Sequence, residues 1–312
     1  MGLRWWISLL ILTSASGLHA QDADASFLHD STEFTSGDSL SIFSLIDSLL
    51  ELQESQTSQV AVRLSYNSNV LSAGRTLGIE NFGLSPGLSY FHPSGLYADA
   101  SAFWSKDFEP SYYLTIFSAG YMKDVTKHFS FMAGFDKYLY NFSGDDVYIP
   151  YRNTLSVTPI LEFKPVSFSA NYSFYFGEQY AHRIMPAVTL TAAHKKFLKL
   201  DRIAVSPSFL LLYGNEVITT IEYVRPATLR ELVQNVRDYG TRYKTVITEK
   251  DVYGVMNYAI SVPLSISHKK WAFSFTYIYN IPKALPGEPE ALSESTYLTG
   301  SLMYLIDLPS RK

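Results

Sequence analysis

The sequence predicts an all-β fold, a transmembrane antiparallel up-and-down β-barrel of about twelve strands that one short N-terminal amphipathic helix precedes. Three observations predict this class. Apolar and polar residues alternate with a period of two over segments of about ten residues. Aromatic residues make up 15% of the chain and charged residues only 17%, whereas roughly 25% of a typical soluble domain is charged. Longer and shorter connections alternate between the segments.

Residues 1–20 have the order of a secretory signal peptide. Arg4 supplies a positive charge, residues 5–12 are almost entirely apolar, and small residues lead to a cleavage site after Ala20. The apolar run is too short for a membrane-spanning helix. We therefore expect an exported protein whose mature chain begins at Gln21.

Residues 21–57 form an acidic leader, with eight acidic side chains and no Lys or Arg. Within it, residues 39–53 carry apolar side chains at helical spacing. The apolar face of this predicted helix consists of Ile42, Leu45, Ile46, Leu49 and Leu52. A lone helix of this length is marginal in water, so we expect a periplasmic helix that docks in or across the barrel mouth as a plug.

From Ser58 to the end at residue 312 the period of two dominates, and this part is the predicted barrel. In residues 166–177, for example, Phe168 and Tyr172 alternate with Ser167 and Ser169. The predicted strands are 58–68, 82–91, 96–105, 112–121, 128–140, 153–163, 166–177, 184–193, 203–213, 255–266, 271–280 and 296–306. Their number is even, as single-chain bacterial barrels require, so both termini fall on the same, periplasmic side.

The connections divide the charges between the two ends of the barrel. The even-numbered connections are short and carry nine basic and two acidic residues, whereas the longer odd-numbered ones are mostly acidic. Short periplasmic turns and longer extracellular loops are the rule for this architecture. The basic rim then meets anionic inner-leaflet head groups, and ordinary solvation of loop charges is the alternative.

Two local features complicate the pattern. Prolines occur inside the predicted strands at positions 86, 159, 186, 207 and 263, where the missing N–H predicts β-bulges or local breaks. The long extracellular loop 214–254 contains a helical segment over residues 226–239, ended by Gly240. This segment is either a lid over the barrel mouth or a surface decoration.

The inward faces carry small, weakly polar residues and four charged candidates, namely Arg63, Asp99, Asp136 and Glu162. A barrel of about twelve strands is wider than the eight-stranded kind that side chains just fill, so small linings leave room in the lumen. Ionisable groups at membrane depth often mark a transport path. A structural network of interior salt bridges is the other interpretation of these four residues.

The sequence carries no motif for a cofactor or a metal, and we expect neither. It has no cysteine, and its net charge of −4 does not indicate a nucleic-acid partner. The outer-membrane phospholipase A class needs a Ser-His-Asn set at the outer rim of its barrel. Here only His182 is expected on the extracellular side, in a loop over residues 177–183, so we expect no enzyme and keep a lipid hydrolase as the third function.

The alternation and the stretch over residues 255–265 resemble uncharacterised outer-membrane β-barrel proteins of Gram-negative bacteria. The resemblance contains no specific motif and implies no functional residue. The fatty-acid transporter family also places a helical segment before its barrel, but this chain has fewer predicted strands.

The first function expected is therefore a passive channel or small-molecule uptake pore in the outer membrane, partly obstructed by the N-terminal helix. The alternative is a non-conducting structural or adhesive barrel whose extracellular loops bind a surface partner. Outer-membrane lipids, surface lipopolysaccharide and a small-molecule solute are the expected partners. The sequence leaves the solute and the oligomeric state open.

Overall fold

The computed structural model describes residues 57–68, 71–72, 75–76, 83–106, 109–141, 151–197, 199–288 and 292–309. The predicted signal peptide, leader and plug helix lie outside these ranges. The strands are β1 Gln59–Asn67, β2 Leu71–Ser72, β3 Arg75–Thr76, β4 Gly83–Phe91, β5 Leu96–Ser105, β6 Tyr112–Asp124, β7 Phe129–Tyr140, β8 Tyr151–Phe163, β9 Val166–Gly177, β10 Tyr180–Leu190, β11 Ala192–Phe197, β12 Leu200–Val205, β13 Ser208–Val224, β14 Lys244–His268, β15 Trp271–Pro282 and β16 Ser295–Asp307. The helix is α1, Leu229–Tyr239.

Twelve of these described strands close into an antiparallel ring, which confirms the predicted all-β barrel. Going round the ring, the strands are β1, β4, β5, β6, β7, β8, β9, β10, β13, β14, β15 and β16. Pairing of β14 with β15 and of β16 with β1 completes the ring. The helix found in the described part lies between β13 and β14, whereas the predicted N-terminal helix lies outside it.

The two faces of the strands separate as the period of two requires. On β4, Ser85, Gly87 and Ser89 are buried, while Leu84 and Leu88, at alternate positions, are exposed. Successive side chains of a strand point to opposite faces of a sheet. In a closed ring, the exposed apolar face is therefore the outer wall and the buried face lines the lumen.

The two ends of the ring differ in their connections. One end, called the turn end below, carries the connections 92–95, 125–128, 164–165 and 269–270 together with the start of β1 and the end of β16. The opposite end, the loop end, carries the longer connections 106–111, 141–150 and 283–294 and also a short one at 178–179. This arrangement follows the alternation expected from the sequence.

The prolines interrupt the hydrogen-bonded ladder without shifting its register. Pro86 pairs with β1, but the β4–β5 ladder omits Ser85 and Pro86 and resumes at Gly87 in the same register. Pro159 and Pro186 leave equivalent gaps toward β9 and β13. The expected local breaks are thus present, whereas the bulges lie elsewhere, between Phe103 and Trp104, Tyr151 and Asn153, and Leu212 and Tyr213.

The segment predicted as a long loop is mostly strand. Beyond the ring, β13 and β14 continue to pair as a two-stranded ribbon, from Val217 opposite Asp251 to Val224 opposite Lys244. The ribbon ends in α1, where the Thr228 hydroxyl accepts from the Glu231 N–H and Gly240 adopts a left-handed φ of 69°. The strand prediction stopped early because the alternation there contains polar residues on both faces.

The apolar side of α1 is open to solvent, with Leu229 81% exposed and Val233 63% exposed. These exposures favour a surface position over a closed lid. No helix among the described residues is long and apolar enough to cross a membrane.

At the turn end, β11 and β12 extend β10 and β13 beyond the ring. Pairing of β12 with β14 involves only residues 264–267, and β11 pairs with β12. All six side chains of β11 are exposed, among them Lys195 and Lys196. The basic turn expected at these lysines is therefore a projecting hairpin.

Candidate functional site

The lumen is the candidate functional site, and hydroxyl and amide side chains line much of it. On β9, Asn171 donates to the Thr158 hydroxyl of β8 over 2.8 Å and accepts from Ser173 over 2.7 Å. Phe168 and Tyr172 of the same strand are exposed on the outer wall. Buried polar groups that are paired in this way cost little, so the lumen can be polar although the outer wall is apolar.

Arg63 and Asp99 form an ion pair across the lumen wall. The guanidinium Nη2 of Arg63 lies 3.4 Å from the Asp99 carboxylate and donates to the Ser101 hydroxyl over 2.6 Å. The Ser89 hydroxyl donates a hydrogen bond to Asp99 Oδ1, and the Ser101 hydroxyl donates one to Asp99 Oδ2. Arg63 is only 7% exposed, so the pair belongs to the wall and leaves little of its charge facing the lumen.

Gly87 allows Arg63 to reach Asp99. Arg63 is on β1 and Asp99 on β5, with β4 between them. A Cβ atom on Gly87 would lie 2.8 Å from Arg63 Nη2 and 2.9 Å from Ser101 Oγ. The guanidinium thus lies flat on the backbone of β4, in the space that any other residue would occupy.

A second pair, between Arg183 and Glu216, repeats this arrangement toward the loop end. Arg183 Nη2 lies 3.1 Å from Glu216 Oε2 and Arg183 is 5% exposed. Its guanidinium carbon also lies 5.4 Å from the centre of the Tyr175 ring, within the range of a cation–π contact. A Cβ on Gly214, opposite Arg183 in the register, would be 3.0 Å from the Arg183 side chain.

Neither Arg183 nor Glu216 was predicted from the sequence to line the lumen. Arg183 was predicted at the end of a loop, because the predicted strand there began at residue 184. Glu216 was predicted within the long loop, because the strand before that loop ended at residue 213. Continuing the alternation from Ala187 to Met185 and then to Arg183 puts Arg183 on the inward face. That continuation is the signal that could have found it.

Asp136 and Glu162 occupy different levels of the lumen. Asp136 is half-buried on β7, two strands from Asp99 in the same row of the ladder, with Ser118 between them. The Ser118 hydroxyl hydrogen-bonds to the Asp136 carboxylate. Glu162 is 44% exposed at the turn end and lies 3.9 Å from the Lys164 ammonium, so it belongs to the rim.

An apolar cluster fills part of the lumen near the turn end, although small linings were expected to leave room. Its members come from seven neighbouring strands of the ring, from β15 through β1 to β7. They are Ala61, Phe91, Tyr97, Met132, Ala272, Met303 and Leu305, with Met122 packed against them. We call this set the turn-end cluster. Apolar constrictions of this kind oppose the passage of water and ions.

A smaller apolar contact narrows the loop end. Leu285, in the connection between β15 and β16, is 2% exposed and packs with Val252 and Met256, with Leu212 beside them. A Cβ on Gly254 would come within 2.7 Å of the Leu285 side chain. The connection therefore folds inward at this point.

His182 lies on the outer wall rather than in an extracellular loop. It is part of β10, its Nδ1 lies 2.8 Å from the Tyr172 hydroxyl, and its ring stacks on Phe174 at 4.9 Å. Its backbone N–H donates to Asn215. These contacts form an aromatic patch near the loop end. The hydroxyl group that contacts the His182 ring in this patch is the Tyr172 phenol.

The remaining predicted site residues lie outside the described ranges. These are the plug-helix residues Ile42, Leu45, Ile46, Leu49 and Leu52. Within the ranges that the structure does describe, no group of three or more acidic, histidine or cysteine side chains is arranged to hold a metal ion.

No protein-family model matches the chain, and no curated protein matches it. Solved outer-membrane barrels are similar to it. The KdgM porin is 12% identical, with a TM-score of 0.42 over 79% of this chain and 98% of that chain. An outer membrane channel from Pseudomonas putida F1 is 10% identical, with a TM-score of 0.43 over 81% of this chain and 96% of that chain. LpxR from Salmonella typhimurium is 10% identical, with a TM-score of 0.40 over 78% and 99%.

At these identities the likeness concerns the fold and brings no functional residue to this chain. The closed antiparallel ring of twelve strands itself agrees with the barrel that the strand pattern indicated.

Proposed function

We propose that this chain is a passive outer-membrane channel for small solutes. The observation that carries the proposal is the division of the ring into an apolar outer wall and a polar lumen with two ion pairs, Arg63–Asp99 and Arg183–Glu216. A barrel with this division buries its backbone groups in the ladder and presents apolar side chains to lipid. A soluble protein would leave the same outer wall exposed to water at a large cost.

The expected export signal and the even strand number support a placement in the outer membrane of a Gram-negative bacterium. The turn end, which holds both ends of the barrel sequence, then faces the periplasm, and the loop end faces the lipopolysaccharide of the cell surface. Outer-membrane lipids surround the wall in this placement.

In this proposal the solute path through the lumen is narrow. The turn-end cluster leaves the polar part of the lumen without a wide exit, and Leu285 narrows the loop end. The predicted helix over residues 39–53 adds a further obstruction at the periplasmic mouth, steered by its acidic residues toward the basic rim. Solutes that pass must accordingly be small.

Reconstitution of the mature chain in planar lipid bilayers tests the proposal. Stepwise currents are the expected result, and deletion of residues 21–54 should raise the conductance while the barrel stays folded. A folded, inserted protein that gives a silent membrane would contradict the channel. Heat-dependent mobility on a gel provides the control that the barrel is folded.

The alternative is a non-conducting structural or adhesive barrel. Two observations favour it, namely the apolar clusters at both ends of the lumen and the exposed apolar side of α1 on the projecting ribbon. In that case the ribbon binds a surface partner. Binding to cells or lipopolysaccharide that is lost on deletion of residues 226–240, combined with silent bilayers, distinguishes this function from the channel.

A further inference from the structure

The charges of the lumen fall into two levels in the described strands. At the turn end lie the rim residues Asp124, Glu162, Arg202 and Asp307, of which Asp307 pairs with Lys270 over 3.1 Å. Above the rim, the inward-facing arginines and carboxylates are Arg63, Asp99, Asp136, Arg183 and Glu216. The second level decides what an ion meets inside the barrel.

Two of the three upper carboxylates are already neutralised. Asp99 faces Arg63, and Glu216 faces Arg183, and both arginines are almost completely buried. Each pair therefore adds little net charge to the lumen. Asp136 is the carboxylate that remains.

Asp136 has no ion-pair partner among the described residues. Its hydrogen bond comes from the Ser118 hydroxyl, which carries no charge. The neighbouring carboxylate in the same row, Asp99, is two strands away. Since Asp136 is half-buried rather than sealed in the wall, its field reaches the lumen.

We infer that Asp136 determines the ion specificity of the channel and makes it cation-selective. The inference rests on the proposed channel function and adds the class of permeant solute, which is a small cation. A fixed negative charge in the wall of a narrow, water-filled lumen lowers the energy of a passing cation and raises that of an anion. The lumen at the level of Asp136 therefore admits cations, although the charged residues in the connections at the turn end are mostly lysines.

The next residue of β7 provides a matched control. Lys137 is adjacent to Asp136 in sequence and lies on the opposite face of the strand, on the outer wall. D136N keeps the size and the acceptor oxygen for Ser118 but removes the negative charge. K137Q removes a positive charge at the same height from the other face of the wall.

The test measures the reversal potential of single channels in a KCl gradient at neutral pH. D136N should lower the ratio of K⁺ to Cl⁻ permeability roughly four- to sixteen-fold, as Coulomb's law gives for a charge about 5 to 10 Å from the ion path in a water-filled lumen when its opposite effects on the two ions are combined. K137Q should change the ratio less than about two-fold, since its charge faces away from the path.

A chemical variant avoids dependence on the folding of D136N. The chain has no cysteine, so a D136C channel can be modified alone, after insertion, by thiol reagents of opposite charge. A sulfonate-bearing reagent should restore cation selectivity, and an ammonium-bearing reagent should reverse it.

Equal permeability ratios in the wild type, D136N and both modified forms, with the current retained, would overturn the inference and leave the channel standing. Equal and opposite changes in D136N and K137Q would also overturn it, because overall charge would then set the selectivity. A wild-type protein that is folded, inserted and silent would overturn the channel and the inference with it.

Discussion

Replacing Gly87 by alanine places a methyl group under the guanidinium of Arg63. The new Cβ would lie 2.8 Å from Nη2 and 3.2 Å from Cζ of Arg63, and 2.9 Å from Ser101 Oγ. Carbon atoms pack at about 3.5 to 4 Å from their neighbours. The guanidinium must therefore move into the lumen by about half an ångström or more, away from Ser101 and Asp99.

This displacement weakens a charge-assisted hydrogen bond of 2.6 Å to Ser101 and the ion pair to Asp99. A hydrogen bond to a charged group contributes about 1.5 to 3 kcal/mol, and breaking a buried pair costs about 3 to 5 kcal/mol. We expect G87A to lower the free energy of unfolding by about 1.5 to 3 kcal/mol. Urea titration of the barrel in lipid vesicles, read by the gel mobility of folded and unfolded forms, measures it.

Gly300 is the matched control, because it also lies within a strand of the ring and a Cβ there would meet nothing within 4 Å. G300A should change the stability by less than about 0.5 kcal/mol. The cost of G87A should also be smaller in an R63A background, where no guanidinium remains to be displaced and only the close contact with Ser101 Oγ is left. An equal cost of G87A with and without Arg63, or equal costs at Gly87 and Gly300, would refute the reasoning.

Three further predictions concern the wall, the constriction and the sidedness. F168R places a charge on the lipid-facing side and should lower the free energy of unfolding by about 2 to 4 kcal/mol near the membrane midplane. S169R, on the inward face, should lower it far less. Equal losses of stability in the same urea assay would show that the two faces are assigned wrongly. F91S replaces an aromatic side chain of the turn-end cluster by a small one and should raise single-channel conductance. An unchanged conductance would mean that the cluster does not limit the path. Protease added to intact cells should cut near α1 and leave Lys196 uncut, and the opposite pattern of fragments would invert the topology.

The strands could be predicted because the alternation of the side chains is a local property. All twelve predicted segments overlap strands of the ring, and β5 and β9 have the predicted bounds. The largest error lies at the loop end, where β13 and β14 leave the lipid and no longer need an apolar outer face. The ribbon from Val217 to Val224 was therefore predicted as a loop.

The prolines in the sequence predicted irregular strand pairing at their positions, but they did not show whether the irregularity is a bulge or a gap in the ladder. The missing N–H of Pro86 removes pairing toward one neighbouring strand, and pairing toward the other neighbour is kept. A bulge would require an extra residue, and the spacing of the flanking residues shows none.

The lumen could be predicted only in part. The period of two places Arg63, Asp99 and Asp136 on the inward face, but it does not say at which height each one lies. Height depends on the stagger between strands, which is a property of the closed ring. For the same reason the sequence did not bring Phe91 and Met303 together in the turn-end cluster, since they are distant in sequence and meet only after closure.

The hairpin of β11 and β12 has a consequence for contacts between copies of the folded barrel. In the described sheet, β11 stands at an end of the strand order, with β12 on one side. An unpaired edge of this kind can recruit a strand from another copy and start aggregation. Lys195 and Lys196 are exposed at consecutive positions, so they place a positive charge on both faces of the edge. Two copies that approached each other there would bring like charges together, and we expect these lysines to prevent edge-to-edge pairing between barrels.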